Sequence, residues 1–321
     1  MLQAGRAALG AAIIVTFCLT YGCAPPALPP AAEILAGLNA VILDPGRSCE
    51  EMRSHFGLEN LPLANNPADL GIGYEEFELS TPAGEVLARL RMCKDDQELA
   101  KMRRAVEIAQ QGFGGMLPLL KAGMTEREAA AELTIQMLRA GADSEAPFSP
   151  TVGSGPNSAN PHYGAGIRRL QPGDLAVVDW GASFEGYCSD LTRTLAVGEV
   201  DETLERIARV TVEANAAGRA AGKPGVPAGE VDRAARAVIE SAGFGAQFFH
   251  RTGHGIGMEG HEEPYIFGEN GLILEEGMTY TVEPGIYFSG TGGVRVEDDV
   301  VVTARGSESL SDLPRDLYRI G

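Results

Sequence analysis

Two stretches of the chain, residues 176–194 and residues 279–299, share a pattern that few folds can accommodate. Each stretch begins with β-branched and apolar residues, breaks at glycine, and then resumes strand-like alternation. This pattern predicts a β-hairpin in each stretch. Each predicted hairpin also contains two carboxylates, and this constrains how the two strands can pair.

Antiparallel pairing would place the two carboxylates of each hairpin side by side. A turn centred on residues 184–185 would pair Asp179 with Asp190. In the second hairpin, a turn in the segment SGTGG would pair Glu283 with Glu297. Directly opposed residues of one sheet face have Cβ atoms roughly 4.5–5.5 Å apart, so each pair would be in close contact.

The two hairpins look like copies of one another. The separation between Asp179 and Glu283 equals the separation between Glu126 and Glu230, which open two predicted helices. A constant offset over this length indicates an internal duplication. We therefore expect an α+β fold of two related halves, facing each other across a pseudo-two-fold axis, with each half supplying one carboxylate pair.

Like charges opposed in a sheet repel, and burying a bare carboxylate is expensive. Arg295 lies two residues before Glu297, on the same strand face, and supplies one positive charge. Two divalent ions would neutralise about four carboxylates, and oxygen-rich ligation suits hard or borderline metals. The pattern predicts two divalent metal ions, with Mn²⁺ expected and Co²⁺ or Zn²⁺ as alternatives.

Three of the five histidines stand near this predicted site in the sequence. His162 lies in a loop, residues 149–166, that is too rich in glycine and proline to predict regular structure. His254 lies between two glycines, which would let the backbone approach a ligand, and His261 follows seven residues later. A lone histidine is more often solvated or packed in a core, but the neighbouring carboxylates favour a functional role here.

Capping boxes at residues 95–98 and 125–128 predict two helices, one reaching about Gln111 and the other ending at Gly141. A second helix pair is expected at residues 202–221 and 228–242. With 321 residues and 44% apolar composition, the chain can bury a large core in one or two domains. We divide it into an N-terminal region, 1–94, and a catalytic domain, 95–321.

The N-terminal region contains an apolar run, Ala7 to Leu19, that is too short to span a membrane. Because Gly22-Cys23 follows it, an exported or lipid-anchored protein is one reading. The cysteines show no paired spacing, which favours a reducing compartment and a cytoplasmic protein. A net charge of −18 argues against binding to nucleic acid or to an anionic membrane through a general field.

The segments VVDWG, SDLTRT, GHGIG, HEEP, VEPGIY and GVRVEDD occur in this order between about Asp95 and Thr303. Together they resemble the pita-bread metallopeptidases of the creatinase/aminopeptidase fold, most closely the Xaa-Pro aminopeptidase and Xaa-Pro dipeptidase (prolidase) branch. The resemblance implies a pita-bread fold preceded by a short N-terminal region. Relatives usually have a larger domain there that helps dimerisation, so a homodimer is possible.

Carried over position by position, the resemblance implies five metal ligands. Asp179, Asp190 and Glu297 would hold one ion. The second ion would be held by four side chains, two of them shared with the first: Asp190, His254, Glu283 and Glu297.

The resemblance also implies metal-assisted hydrolysis of a small peptide, with proline expected as its second residue. Glu283 would transfer the proton, His261 would donate to the developing oxyanion, and His162 would lie near the scissile nitrogen. Arg295 would orient the bridging carboxylates from outside the ligand shell.

Three other kinds of function remain open at this point: a general or methionine aminopeptidase, a metal-free hydrolase, and a binding protein. Methionine aminopeptidases share the five ligands but lack GVRVEDD around the last one, and a general aminopeptidase would differ only in substrate profile. A metal-free creatinase-like hydrolase, or a peptide- or protein-binding pseudo-peptidase, would have lost ligands, and none is lost here.

Overall fold

A computed structural model of the chain describes residues 88–321. The possible export signal and the abbreviated N-terminal region fall almost wholly before residue 88 and lie outside the described residues. Residues Arg91–Gly321 form one compact unit. The boundary after residue 94 stays a prediction.

Two helices open the first half, and both start where the capping boxes predict. Helix α1 spans Asp96–Met116, and the Asp95 carboxylate accepts hydrogen bonds from the first free N–H groups of the helix. Helix α2 spans Glu126–Ala140, is capped in the same way by Thr125, and ends at Gly141 with φ +103°. Glycine tolerates this left-handed conformation, and the predicted end of α2 is confirmed.

Helix α1 extends one turn beyond the predicted end at Gln111. Phe113 and Met116 are fully buried on its inner face, and the Phe113 ring stacks on Trp180 at a centroid distance of 4.4 Å. This packing holds the glycine-containing last turn in the helix, because burial outweighs the poor helix propensity of glycine.

Six strands belong to the first sheet and its hairpin arm: β1 (Thr151–Ser154), β2 (Leu175–Trp180), β3 (Ser183–Phe184), β4 (Tyr187–Cys188), β5 (Leu191–Val197) and β13 (Tyr318–Ile320). The sheet has the strand order β1-β2-β5-β13, with β13 parallel to β5 and the other neighbours antiparallel. A short hairpin arm, β3 and β4, extends from the β2–β5 pair.

The predicted register of the first hairpin is wrong. Asp179 is paired with Thr192, not with Asp190, and the turn lies at Glu185-Gly186. Both turn residues have positive φ, 48° and 77°, which suits the right-handed twist of a two-residue hairpin. The observed turn lies one position later than the predicted turn, and this shifts the partner of each residue by two positions. Asp190 is therefore not opposite Asp179 and lies just before β5.

The prediction of an irregular loop at residues 149–166 is wrong in part. Thr151–Ser154 form the edge strand β1 on β2, and Gly155–Ala159 form a 3₁₀ turn. The β-branched Thr151 and Val152 fit a strand, and the free edge of β2 supplies the partner that local sequence cannot reveal.

The second half repeats the order of the first: two helices, sheet strands, a hairpin arm, and a returning strand. Its elements are α3 (Glu202–Ala221), α4 (Gly229–Ser241), β6 (Gly253–Gly255), β7 (Glu262–Ile266), β8 (Thr279–Val282), β9 (Gly285–Phe288), β10 (Gly292–Arg295), β11 (Asp298–Thr303) and β12 (Gly306–Ser309). Helices α3 and α4 agree closely with the predicted pair. The second sheet has the strand order β12-β11-β8-β6-β7.

The second hairpin has the predicted register. The β9–β10 ladder pairs Gly285 with Arg295, and the β8–β11 ladder pairs Val282 with Asp298. The carboxylates of Glu283 and Glu297 lie between these two ladders, opposite one another. The predicted α+β fold of two related halves is confirmed.

The two halves meet where β5 of the first passes the end of β10 of the second. The backbones of Thr192 and Glu297 exchange hydrogen bonds there, with N···O distances of 3.4 and 3.1 Å. Beside this bridge, the fully buried Arg193 donates to Asp298 at 2.7 Å. These contacts bring the two carboxylate pairs into one site.

Replacing Asp95 with alanine should lower the free energy of unfolding by about 1 kcal/mol, because two helix N–H groups lose their acceptor. The exposed neighbour Gln97, changed to alanine, serves as the control and should have little effect. Urea unfolding of both variants measures the difference. Equal stability of the Asp95 variant and the wild type would show that the cap contributes nothing.

Candidate metal centre

The five side chains predicted as ligands converge on one buried site. Carboxylate oxygens of Asp179, Asp190 and Glu297 lie within 4.8 Å of one another. Ligand atoms of His254, Glu283 and Glu297 form a second group of the same size. Glu297 belongs to both groups, which is the arrangement expected of a bridging ligand.

His254 presents one ring nitrogen to the carboxylates. Its Nε2 lies 3.5 Å from Glu283 Oε1 and 3.7 Å from Asp190 Oδ2. Its Nδ1 lies 3.0 Å from the carbonyl oxygen of Gly255, a contact that favours a proton on Nδ1 and leaves the Nε2 lone pair free. Burial lowers the pKa of His254 well below its ordinary value, so the ring is neutral, as a ligand must be.

The glycines beside His254 are required by the packing of the strands. A Cβ on Gly253 would overlap the carbonyl oxygen of Thr281, and a Cβ on Gly255 would overlap that of Glu263. Both glycines therefore let β6 fit between β8 and β7, a role that the sequence analysis did not include.

The carboxylates of the site are held in an environment that disfavours negative charge. Burial raises the pKa of Asp190 and of Glu297 well above the ordinary range, and neighbouring carboxylates raise both further. Burial likewise raises the pKa of Glu283 to about 7, although Arg295 opposes this shift. Without added positive charge, these groups would retain protons near neutral pH.

Two carboxylate oxygens of the site lack any hydrogen-bond partner in the described part of the chain. They are Oδ1 of Asp179 and Oδ1 of Asp190, and both are fully buried. Buried acceptors are almost always satisfied, and orphaned carboxylate oxygens grouped in this way are the donor set that a divalent cation would satisfy. The residues present fit divalent metal.

Arg295 lies beside the carboxylates and forms hydrogen bonds to two of their neighbours. Its Nη2 donates to Asp179 Oδ2 at 2.7 Å, and its Nε donates to Thr192 Oγ1 at 3.1 Å. It reaches Glu297 through Thr192, whose Oγ1 donates to Glu297 Oε2 at 2.6 Å. The role predicted for Arg295, to orient the bridging carboxylates from outside the ligand shell, stays a prediction.

Two residues of this network were missed in the sequence. Thr192 links Arg295 to Glu297, and Asp299 accepts a hydrogen bond from the backbone N–H of Asp190 at 2.9 Å. Thr192 lies in the motif SDLTRT and Asp299 lies in GVRVEDD, each two residues after a proposed ligand. This spacing is the sequence signal that could have identified them.

The proposed ligands line a pocket of about 650 Å³, and His162 and His261 line it as well. His261 packs edge-on against His254, with ring centroids 3.9 Å apart. His162 is on the loop that follows the 3₁₀ turn, where its backbone N–H donates to Asn160 Oδ1. Cys188 is buried near Ser183 and Met258, outside the groups that could hold metal.

His250 and Tyr287 extend the polar network away from the pocket floor. His250 Nε2 lies 3.0 Å from the Tyr287 hydroxyl oxygen, which also accepts from Arg295 Nη1 at 3.1 Å. Burial lowers the pKa of His250 to about 4. The sequence reading did not include either residue.

Metallopeptidase family M24 matches residues 100–304 of the chain. The chain belongs to metallopeptidase family M24. The matched segment begins within α1, runs to the end of β11, and contains all five proposed ligands.

Curated relatives agree with this assignment. The chain is 42% identical over 268 residues to an uncharacterized peptidase, YqhT, of Bacillus subtilis, covering 82% of this chain and 75% of that protein. It is 38% identical over 244 residues to the Xaa-Pro dipeptidase of Lactobacillus delbrueckii subsp. lactis, covering 76% of this chain and 66% of that protein.

Solved structures of this family have the same fold. The X-Pro aminopeptidase of Thermotoga maritima matches with a TM-score of 0.74 at 35% identity, covering 84% of this chain and 71% of that one. The prolidase of Pyrococcus furiosus matches with a TM-score of 0.70 at 38% identity, covering 72% and 68%. Within residues 88–321, no helix is long and apolar enough to cross a membrane.

Replacing Glu297 with alanine should weaken divalent metal binding by at least about 100-fold, because the variant loses the carboxylate common to both groups. Metal content after gel filtration, measured by plasma mass spectrometry, tests this. The exposed Glu308, changed to alanine, is the matched control and should retain full metal. Full metal content in the Glu297 variant would contradict the site.

Replacing His250 with glutamine should flatten the pH dependence of stability between pH 6.5 and 4. Folded His250 stays neutral down to about pH 4, whereas the unfolded residue protonates near pH 6.5, so wild-type stability falls as the pH falls through this window. The wild type should lose up to about 3 kcal/mol more than the variant. Parallel urea-unfolding curves across this range would contradict the assignment.

Proposed function

We propose that this chain is a dinuclear metal-dependent peptidase that hydrolyses the bond between a first residue and a following proline. The observation that supports it most strongly is the convergence of five ligand-type side chains on a pocket floor with orphaned buried carboxylate oxygens. The relatives named Xaa-Pro dipeptidase, X-Pro aminopeptidase and prolidase suggest the substrate class.

In this proposal, Asp179, Asp190 and Glu297 hold one ion. Asp190 and Glu297 also hold the second ion, together with His254 and Glu283. Two divalent ions, when bound, lower the pKa of water and polarise the scissile carbonyl. Mn²⁺ is the metal we expect, because carboxylate oxygens outnumber nitrogen ligands.

The remaining chemistry belongs to side chains of the pocket. Glu283 faces the pocket, and its position at the floor suits it to accept a proton from water and return it to the leaving nitrogen. His261 stands beside His254 and would donate a hydrogen bond to the carbonyl oxygen as negative charge develops there. His162, which also lines the pocket, would lie near the scissile nitrogen.

Arg295 has a positioning role in this scheme. Its hydrogen bonds to Asp179 and Thr192 orient one terminal ligand directly and the shared ligand Glu297 indirectly. Ligands oriented by such bonds bind metal more tightly, because less conformational freedom is lost on binding.

Proline after the scissile bond is the expected substrate feature. The peptide bond before proline has no N–H, and proline fixes φ near −65°, so sites built for extended chains accommodate it poorly. A general or methionine aminopeptidase is the alternative enzyme, and a substrate panel separates the two. A pseudo-peptidase is disfavoured because all five ligand positions are filled by ligand-type residues.

Protein loaded with Mn²⁺ should hydrolyse Xaa-Pro dipeptides or Xaa-Pro-Yaa tripeptides at least about ten-fold faster than Met-Ala peptides. The measurement is kcat/KM over this panel, with chelator-treated protein as the control. A preference for Met-Ala would replace the proposal with the methionine aminopeptidase alternative. Binding of peptides without hydrolysis of any would favour the pseudo-peptidase.

Replacing His261 with alanine should lower kcat by about 100-fold and leave metal content unchanged, because the variant loses a donor to the developing oxyanion. Met258, exposed on the same loop, is changed to alanine as the control. An unchanged kcat in the His261 variant would remove its assigned role.

A further inference from the structure

A group of ion pairs joins the segment before α1 to the first residue of β7, directly after His261. Lys94 Nζ donates to Glu262 Oε1 at 2.6 Å, and Arg91 Nη2 donates to Glu262 Oε2 at 2.6 Å. Arg91 Nη1 also donates to Glu259 Oε1 at 2.9 Å. Both carboxylate oxygens of Glu262 are therefore held by cations, and Glu262 belongs to none of the groups that could hold metal.

Lys94 is the buried member of this group. Its side chain is 1% exposed, and that of Glu262 is 8% exposed. The backbone N–H of Lys94 donates to the carbonyl oxygen of Gly277 at 2.9 Å, which ties the lysine to the loop before β8. A Cβ on Gly257, the last glycine of GHGIG, would lie 2.7 Å from Lys94 Cε. The lysine chain therefore occupies space that this glycine leaves open.

His261 depends on its backbone for its position. The residue is exposed, and within residues 88–321 its ring forms no hydrogen bond and packs against the ring of His254. Glu262 follows it directly and lies opposite Gly255 in the β6–β7 ladder. Successive side chains of an extended chain point to opposite faces. Glu262 can therefore be held on one face while His261 lines the pocket on the other.

The pair between Lys94 and Glu262 is costly to break. Burial lowers the pKa of Lys94, and the Glu262 carboxylate opposes that shift through its charge and its hydrogen bond. Removal of one partner would leave the other charge buried without compensation, whereas exposed ion pairs contribute little to stability. The buried pair therefore fixes the start of β7 more firmly than the exposed pair with Glu259 can.

We propose that Lys94 is a positioning residue that, through Glu262, holds His261 where its ring can donate to the carbonyl oxygen of the substrate. This inference rests on the proposed function, in which His261 is that donor. A donor contributes most when it is fixed in advance where charge develops, and a misplacement of about 1 Å can cost about 100-fold in rate. Neither Lys94 nor Glu262 lines the pocket, so both act through the residue beside them.

The first experiment measures kcat and KM for Ala-Pro with protein loaded with Mn²⁺. Lys94→Met keeps most of the apolar length of the side chain and removes its charge. It should lower kcat by at least about ten-fold, change KM by less than about two-fold and leave metal content unchanged, because the misplaced donor acts on charge that develops in the transition state. Lys121→Met, at an exposed position before α2, is the matched control and should keep the wild-type kcat. An unchanged kcat in Lys94→Met would overturn the proposal.

The second experiment separates positioning from a general loss of structure. When His261 is already alanine, Lys94→Met should lower kcat by less than about two-fold further, because the ring that Lys94 positions is gone. Losses that multiply in the double variant would overturn the proposal. If Lys94→Met does not fold, Glu262→Gln takes its place in both experiments, since it keeps the shape of the partner and removes its charge.

Hydrogen–deuterium exchange tests the ion pair without reference to activity. In Lys94→Met, the amides of residues 256–262 should exchange at least about ten-fold faster than in the wild type, and those of β11 should exchange at the wild-type rate. Equal exchange at residues 256–262 would show that Lys94 does not fix this loop. If the wild type cleaved no Xaa-Pro peptide, the proposed function would fail, and the exchange rates would still decide whether Lys94 holds the loop.

Discussion

The mutual repulsion of four carboxylates in a buried site is the constraint on which this structure depends. Asp179, Asp190, Glu283 and Glu297 face one another with one arginine, Arg295, in ion-pair contact with the cluster. The unpaired oxygens and the raised pKa values of Asp190 and Glu297 both show that this arrangement has too little positive charge. Divalent metal removes the imbalance, and the same ions supply the chemistry that a peptidase needs.

Neither half of the duplicated chain could form this site alone. The first half contributes Asp179 and Asp190, and the second contributes His254, Glu283 and Glu297. The halves are joined at the point of contact by the Thr192–Glu297 backbone bridge, and the Thr192 hydroxyl continues that bridge into the ligand shell. The contact between the halves and the geometry of the carboxylate cluster are therefore one structural feature, since a shift of β5 against Glu297 would displace a proposed ligand.

Much of this could be predicted from residues alone. Capping boxes and the glycine at position 141 set the ends of helices, because these signals act within one turn of the chain. The SGTGG turn predicts that Glu283 and Glu297 lie opposite one another, because the position of a hairpin turn determines the register of the two strands that it joins. The internal repeat was visible as a constant separation between matching carboxylates.

The remaining features depend on contacts between segments far apart in sequence. Asp179 is paired with Thr192 because Glu185 takes a positive φ beside glycine, which residue preference alone does not favour. Strand β1 exists because β2 has a free edge. The hydrogen-bond partners of Arg295 depend on side-chain directions set by the assembled sheets, and the sequence contains no local signal for them.

The central claim is that Asp190 and Glu297 are shared between two neighbouring ions. Electron paramagnetic resonance of chelator-stripped protein titrated with Mn²⁺ tests it directly. The account predicts saturation at two ions per chain, with an exchange-coupled spectrum from a pair about 3.5–4 Å apart. Saturation at one ion, or two ions with the uncoupled six-line spectrum of isolated Mn²⁺, would contradict it.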